Sequence, residues 1–249
     1  MSSERMSDVL FVHLLKQLGL TDMAAYIKAN NPVGNEYHNT EHMFGVAKLA
    51  AQIYLTENLG CFDQQDLFQL VSAALWHDFG HSGGALSDRE NIEIAIAALR
   101  AFVKLPEANQ FNDYSLQFSA SHPALLICSM IRVTEFPFIH EPTDQCESIL
   151  RDADVLYSFG GDPGEILYNL YKELKGAGKL PEEMTFPELV KGQQSFHDSL
   201  VIFTDTGKAI FDSMRAEVVE AQNSMARDLF GPKPGDGVTV KLTHDFKTR

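Results

Sequence analysis

The sequence predicts an all-α protein on three observations. Apolar side chains recur at helical spacing along almost every segment, capping residues and Gly or Pro bound those segments, and sustained strand alternation is confined to residues 238–242. Leu10, Leu14, Leu15 and Leu18 mark a first helix ending at Gly19, and Thr21 reads as the N-cap of a second that Asn30, Asn31 and Pro32 close. After Gly34, residues 38–57 carry Val46, Leu49, Ala50 and Ile53 as one apolar stripe. Asp63 is placed to cap the next helix, in which Leu67, Leu70, Val71, Ala74 and Leu75 run directly into Trp76, His77 and Asp78. Gly80, Gly83 and Gly84 break that helix, and Ser87 can cap another that carries Ile92, Ile96 and Leu99 to about Lys104. Further helical stretches cover 124–134, 144–157, 165–174 and 193–229, the last as one continuous helix.

With 249 residues, 45% of them hydrophobic, the chain can bury a large core. We expect a single helical domain over residues 1–230, with any metal core within about 37–160, followed by a Gly- and Pro-rich, flexible tail over 231–249. There is no internal repeat or heptad array, and residues 160–164 lack the Lys and Ser or Thr that would complete a P-loop. No apolar run approaches the roughly 20 residues of a membrane span, and residues 1–8 are polar, so the expectation is a cytoplasmic protein without a membrane partner. Cys61, Cys128 and Cys146 are odd in number and widely spaced, which points to buried, reduced thiols rather than a disulfide framework or thiolate metal site. The 34 acidic against 20 basic residues give a net charge of −14, which argues against long nucleic acids as partners. A small phosphorylated substrate remains open if bound metal ions supply the local positive charge.

Three clusters carry the candidate chemistry. The run Tyr37-His38-Asn39-Thr40-Glu41-His42 sets two histidines four residues apart at a helix start, and Trp76-His77-Asp78-Phe79-Gly80-His81 ends an apolar helix with an adjacent imidazole and carboxylate. An unpaired buried carboxylate costs several kcal/mol or more, so Asp78 calls for a cation or hydrogen bonds. In Leu150-Arg151-Asp152-Ala153-Asp154, two more acids enter an apolar helix; Asp154 follows the apolar set better than Asp152, while Arg151 offers one of them a plain ion pair. Together His42, His77, Asp78 and Asp154 supply two imidazoles and two carboxylates, a shell suited to zinc, manganese, iron or magnesium.

At this point the chain resembles the HD-domain metal-dependent phosphohydrolase superfamily, whose signature is a His, a later His-Asp doublet and a distant Asp. Within it, Tyr37-His38-Asn39 with His42 is most similar to the Tyr-His-Asn-x-x-His motif of the class I cyclic nucleotide phosphodiesterases. His77-Asp78-Phe79-Gly80-His81-Ser82-Gly83 resembles their His-Asp-x-x-His-Pro-Gly, with Ser82 in place of Pro. Asn91-Ile92-Glu93-Ile94-Ala95, the stretch 131–135 and Gln193-Gln194-Ser195-Phe196 resemble further elements of that branch.

The resemblance implies an HD-type helical bundle that hydrolyses a small phosphodiester such as a cyclic nucleotide, using one or two divalent metal ions and a water activated on them. It implies His42, His77, Asp78 and Asp154 as metal ligands, with Asp78 bridging to any second ion, and His38 as the proton donor to the leaving oxygen, with Glu41 able to orient it. It further implies that His81 and Glu93 bind a metal-bound water, and that Gln193 and Phe196 hold the base by hydrogen bond and stacking. Plainer readings stand beside these: His81 as a helix C-terminal histidine, Gln193 as surface and Phe196 as core. Trp76 reads as packing, and His13, His122, His140, His197 and His244 have no matching partners in sequence. A nucleotide mono- or triphosphate phosphohydrolase, or a non-catalytic nucleotide-binding module, are the alternatives.

Overall fold

A computed structural model describes residues 6–104 and 122–231. Among them the chain forms ten α-helices and no strand, as the periodicity predicts. They are α1 (Asp8–Gln17), α2 (Thr21–Asn30), α3 (Thr40–Glu57), α4 (Gln64–Trp76), α5 (Asp88–Phe102), α6 (His122–Arg132), α7 (Gln145–Tyr157), α8 (Pro163–Gly176), α9 (Phe186–Ser199) and α10 (Asp205–Phe230). None is long and apolar enough to cross a membrane. The strand-like residues 238–242 and the rest of the expected tail beyond Gly231 lie outside the described residues.

Local chemistry sets most of the helix ends. Asp63 accepts hydrogen bonds from the amides of Gln65 and Asp66, and Ser87 forms a capping box with Glu90. Asp162 caps α8, whose first residue is Pro163, so this helix begins two residues before the expected start. At α2 the N-cap is Leu20 rather than Thr21. The buried Leu20 already accepts the Ala24 amide through its carbonyl, which draws Thr21 into the first turn.

The expected single helix over 193–229 is two helices. The break at residues 200–204 contains neither Gly nor Pro, and its cause is distant in sequence: buried Asp152 of α7 accepts from the amides of Phe203 and Thr204 at 2.8–3.2 Å and from Thr204 Oγ1 at 2.7 Å. Thr204 in turn caps α10 by accepting from the Gly207 amide. Upstream, α9 starts at Phe186 behind Thr185, whose amide and hydroxyl donate to Glu188.

The central helix is α4, buried continuously from residue 67 through the end of the helix, polar Gln69 and Ser72 included. It packs chiefly on α3, with α6 and α7 also against it, while α10 packs on α8 and α9. Trp76 is fully buried and touches Tyr26, Phe79 and Phe102, as its packing role requires. A smaller apolar cluster of Leu167, Phe186, Val190 and Ala226 joins α8, α9 and α10. Cys128 and Cys146 are buried thiols, but Cys61, just after the turn at Gly60, is exposed.

Candidate metal centre

The packing of α3, α4 and α7 determines the first feature of the site. His42 lies in the first turn of α3, whose N-cap Asn39 accepts its amide at 3.0 Å; His77 closes α4; Asp78 follows it; and Asp154 lies in the last turn of α7. These four side chains converge. His42 Nε2 is 3.2 Å from Asp78 Oδ2, 3.2 Å from Asp154 Oδ1 and 3.2 Å from His77 Nε2. His77 Nε2 is 3.2 Å from Asp78 Oδ2 and 3.5 Å from Asp154 Oδ1. Ligand atoms held about 2.0–2.2 Å from one ion stand about 2.8–3.6 Å from their neighbours, so these separations suit a shared cation.

The donor chemistry fits as well. His77 Nδ1 donates to the Ala74 carbonyl at 2.8 Å, which leaves the Nε2 lone pair facing the two carboxylates and the other imidazole. The buried Nδ1 of His42 has no hydrogen-bond partner. Burial disfavours the charged form of both imidazoles, but the Asp78 and Asp154 carboxylates outweigh it and raise both pKa values, that of His77 well above the ordinary range. Burial likewise pushes both carboxyls up, and the histidines outweigh it, holding Asp78 and Asp154 below the usual range. His42, His77 and Asp78 could hold a divalent ion between them, with Asp154 beside the two imidazoles.

The neighbouring acid and base resolve the open choices on α7. Asp152 is committed to the α9–α10 turn and is not available as a ligand. Arg151 pairs with neither acid: it donates to the carbonyls of Val133 and His140 and lies over the Phe138 ring. Asp154 is thereby left to the histidines.

His38 lies outside α3, one residue before the N-cap, rather than on its first turn. Its ring is 5.8 Å from that of His42 and stacks on His81 at 3.9 Å. The partner that orients it is Glu173 of α8, not Glu41, which is exposed. Glu173 Oε2 accepts from the amides of Tyr37 and His38 at 2.8 and 3.0 Å, and Oε1 accepts from His38 Nδ1. Burial raises the Glu173 carboxyl, but His38 and these amides outweigh it and keep it ionised. Glu173 lies 135 residues from His38 and no local motif marks it.

Asn35 is a second residue the motifs did not mark: its Nδ2 donates to the carbonyls of His38 and His81, joining the two loops. Gly83 adopts φ +65°, and a Cβ there would lie 2.9 Å from Asn35 Oδ1. Tyr37 and Tyr157 flank the His42 ring at 4.8 and 4.6 Å, and Gly45 makes room for Tyr157, which a Cβ would meet at 2.2 Å.

Other expected site residues are placed differently. Glu93 is exposed and paired with Arg132 at 3.0 Å, because its position on α5 faces α6; the carboxylate beside His81 Nε2 is that of Asp88, at 3.7 Å. His81 Nδ1 accepts the Gly83 amide, so this ring is held by its own loop. Gln193 Nε2 lies 3.3 Å from His197 Nε2, and Phe196 meets Phe136 edge-on at 5.8 Å; both are half-buried, and these contacts are with α9 and the 133–140 loop rather than with the histidine clusters. In comparisons with known proteins, the chain matches no family model, and no curated protein matches it significantly. Its all-helical architecture and buried His42–His77–Asp78 group are compatible with an HD-like domain able to bind a metal ion.

Proposed function

We propose that the protein is a metal-dependent phosphoester hydrolase of HD type, acting on a small phosphodiester of the cyclic nucleotide class. The observation that supports this reading is the pairing, within one site, of the His42–His77–Asp78 group, with Asp154 beside it, and a partly exposed histidine oriented by an ionised carboxylate. His42, His77, Asp78 and Asp154 would hold the ion. When bound, a divalent ion supplies Lewis acidity toward phosphate oxygens and brings the pKa of coordinated water down to about 7.

The protein's own part is orientation and proton delivery. Glu173 fixes His38 through Nδ1, leaving Nε2 to give a proton to the departing alkoxide. The His38 side chain is 21% exposed, against 1–2% for the two ligand histidines, so among these imidazoles it is the one open to substrate. A cation in the cradle also explains how a chain of net charge −14 accepts an anionic substrate.

The test is a substrate panel with manganese, magnesium and zinc. Turnover of cyclic nucleotides that is lost in both His38→Ala and Asp78→Ala, with metal retained only in the former, is the expected result. Exclusive turnover of nucleoside mono- or triphosphates would replace the phosphodiesterase reading with a nucleotide phosphohydrolase. Stoichiometric metal without any turnover would leave a binding module.

A further inference from the structure

Asp88 is the first residue of α5 and stands outside the cap that Ser87 and Glu90 form between themselves. Its carboxylate reaches two other segments instead. Oδ2 accepts the Phe136 amide at 2.6 Å, and Oδ1 lies 3.7 Å from His81 Nε2. Asn91, also on α5, accepts the Ser82 amide through Oδ1 at 3.0 Å, so two side chains of one helix fix the loop that carries His81.

Proton positions give the contact with His81 its sense. The Gly83 amide donates to Nδ1, so the neutral ring carries its proton on Nε2, on the side of Asp88. At 3.7 Å the attraction is electrostatic, longer than a hydrogen bond, and among the described residues no other carboxylate pairs with this imidazole. The ring is buried and stacks on His38 at 3.9 Å, with 26° between the planes. Turning either ring displaces the other. His38 is therefore fixed twice, at Nδ1 by Glu173 and across its face by a ring that Asp88 orients.

The other oxygen of Asp88 acts away from the imidazoles. Phe136, whose amide it holds, is 53% exposed and meets Phe196 edge-on at 5.8 Å. One carboxylate thus joins the imidazole stack to an exposed aromatic pair, and aromatic side chains suit the organic part of a phosphoester.

We propose that Asp88 is a positioning residue with two outputs: through His81 it sets the ring plane of His38, and through the Phe136 amide it keeps the 133–140 loop in register with that ring for contact with the substrate beyond its phosphate. The kinetic consequences rest on the hydrolase reading above; the orientation of His81 by Asp88 does not.

The experiment combines NMR with a double-mutant cycle on the full chain. In the native protein the His81 Nε2–H proton, identified by its absence in His81→Phe, should be sheltered from solvent exchange. Asp88→Ala should shift that signal and speed its exchange at least tenfold; a signal left unchanged overturns the proposal. With a turned-over substrate, Asp88→Ala should lower kcat about tenfold in the native background and not at all in His81→Phe, because this effect runs through the ring. It should raise KM several-fold in both backgrounds, because the Phe136 contact does not. An equal fall in kcat in both backgrounds, or a KM that stays at the native value, overturns the proposal. Asp88 is 28% exposed and outside the helix cap, so Asp88→Ala should keep the native helix content, which circular dichroism checks. If the native chain turns over no phosphoester, the hydrolase reading fails separately and the NMR comparison still decides whether Asp88 orients His81.

Discussion

The two histidine clusters adjoin each other but are built on different principles. The His42 cluster draws its side chains from α3, α4 and α7, helices packed on one another at the centre of the fold, and its two imidazole nitrogens stand 3.2–3.5 Å from each other and from the carboxylate oxygens. The His38 cluster is assembled from a residue before α3, a loop after α4 and a side chain of α8, and hydrogen bonds from Asn35 and the Gly83 amide hold its two loops. Helix packing thus delivers a compact cradle suited to coordination. A polar lattice delivers an oriented, partly open imidazole suited to moving a proton. Holding an ion requires close, fixed spacing, whereas proton transfer requires orientation and access.

The largest effect should come from breaking the compact cluster. Asp154→Ala removes a carboxylate shared by both ligand histidines, and we expect loss of the tightly bound metal together with a fall in turnover of about 10³ or more. Metal content measured beside kcat checks this; a variant that keeps its metal would show that the cradle does not need α7. Glu173→Gln attacks the other principle. It retains the shape but removes the charge that orients His38, so kcat should fall by about 10–10² with tight metal and KM little changed. Equal metal loss in both variants would erase the distinction between the clusters.

Legibility in the sequence follows the same division. Periodicity and caps such as Asp63 and Ser87 gave the helical class and most element ends, because these are decided within a few residues. His42, His77 and Asp78 stood out because imidazoles and a carboxylate at the ends of apolar helices are costly without a partner. Glu173, Asn35 and Asp88 were not legible: each acts on a histidine through tertiary contact, and none lies in a motif. Glu93 shows the reverse error, a residue at the expected spacing whose helix turns it toward Arg132. The break between α9 and α10 was hidden for a related reason, since its determinant is Asp152 on another helix.

That break offers a test of how α7 divides its two acids. Asp152 and Asp154 stand two residues apart and serve opposite faces, one the α9–α10 turn and the other the cradle. Asp152→Ala leaves the amides of Phe203 and Thr204 without their acceptor, and we expect a loss of about 2–4 kcal/mol in urea unfolding, with the tight metal equivalent retained in the folded fraction. Metal loss without destabilisation would reverse the two assignments.

The smallest effect concerns a histidine that belongs to neither cluster. His197 is buried against Phe159 and Phe211, and its Nδ1 has no hydrogen-bond partner. Burial, with Arg215 adding to the effect, outweighs the attraction of Asp198, in contrast to His42 and His77 where Asp78 and Asp154 prevail, and pushes its pKa down to about 4. In the unfolded chain the same imidazole titrates near its ordinary value of about 6.5 and so binds more protons than the folded chain between these pH values. Stability is therefore complete above about pH 6.5 and declines as pH falls toward 4, by up to about 3 kcal/mol from this residue. His197→Phe, which suits the aromatic surroundings, should lack that part of the acid sensitivity. Urea unfolding of both chains at pH 7 and pH 4.5 measures it: the gap between native and variant should shift in favour of the variant at the lower pH, and a gap that does not change with pH would show that His197 is as well compensated as the two ligand histidines.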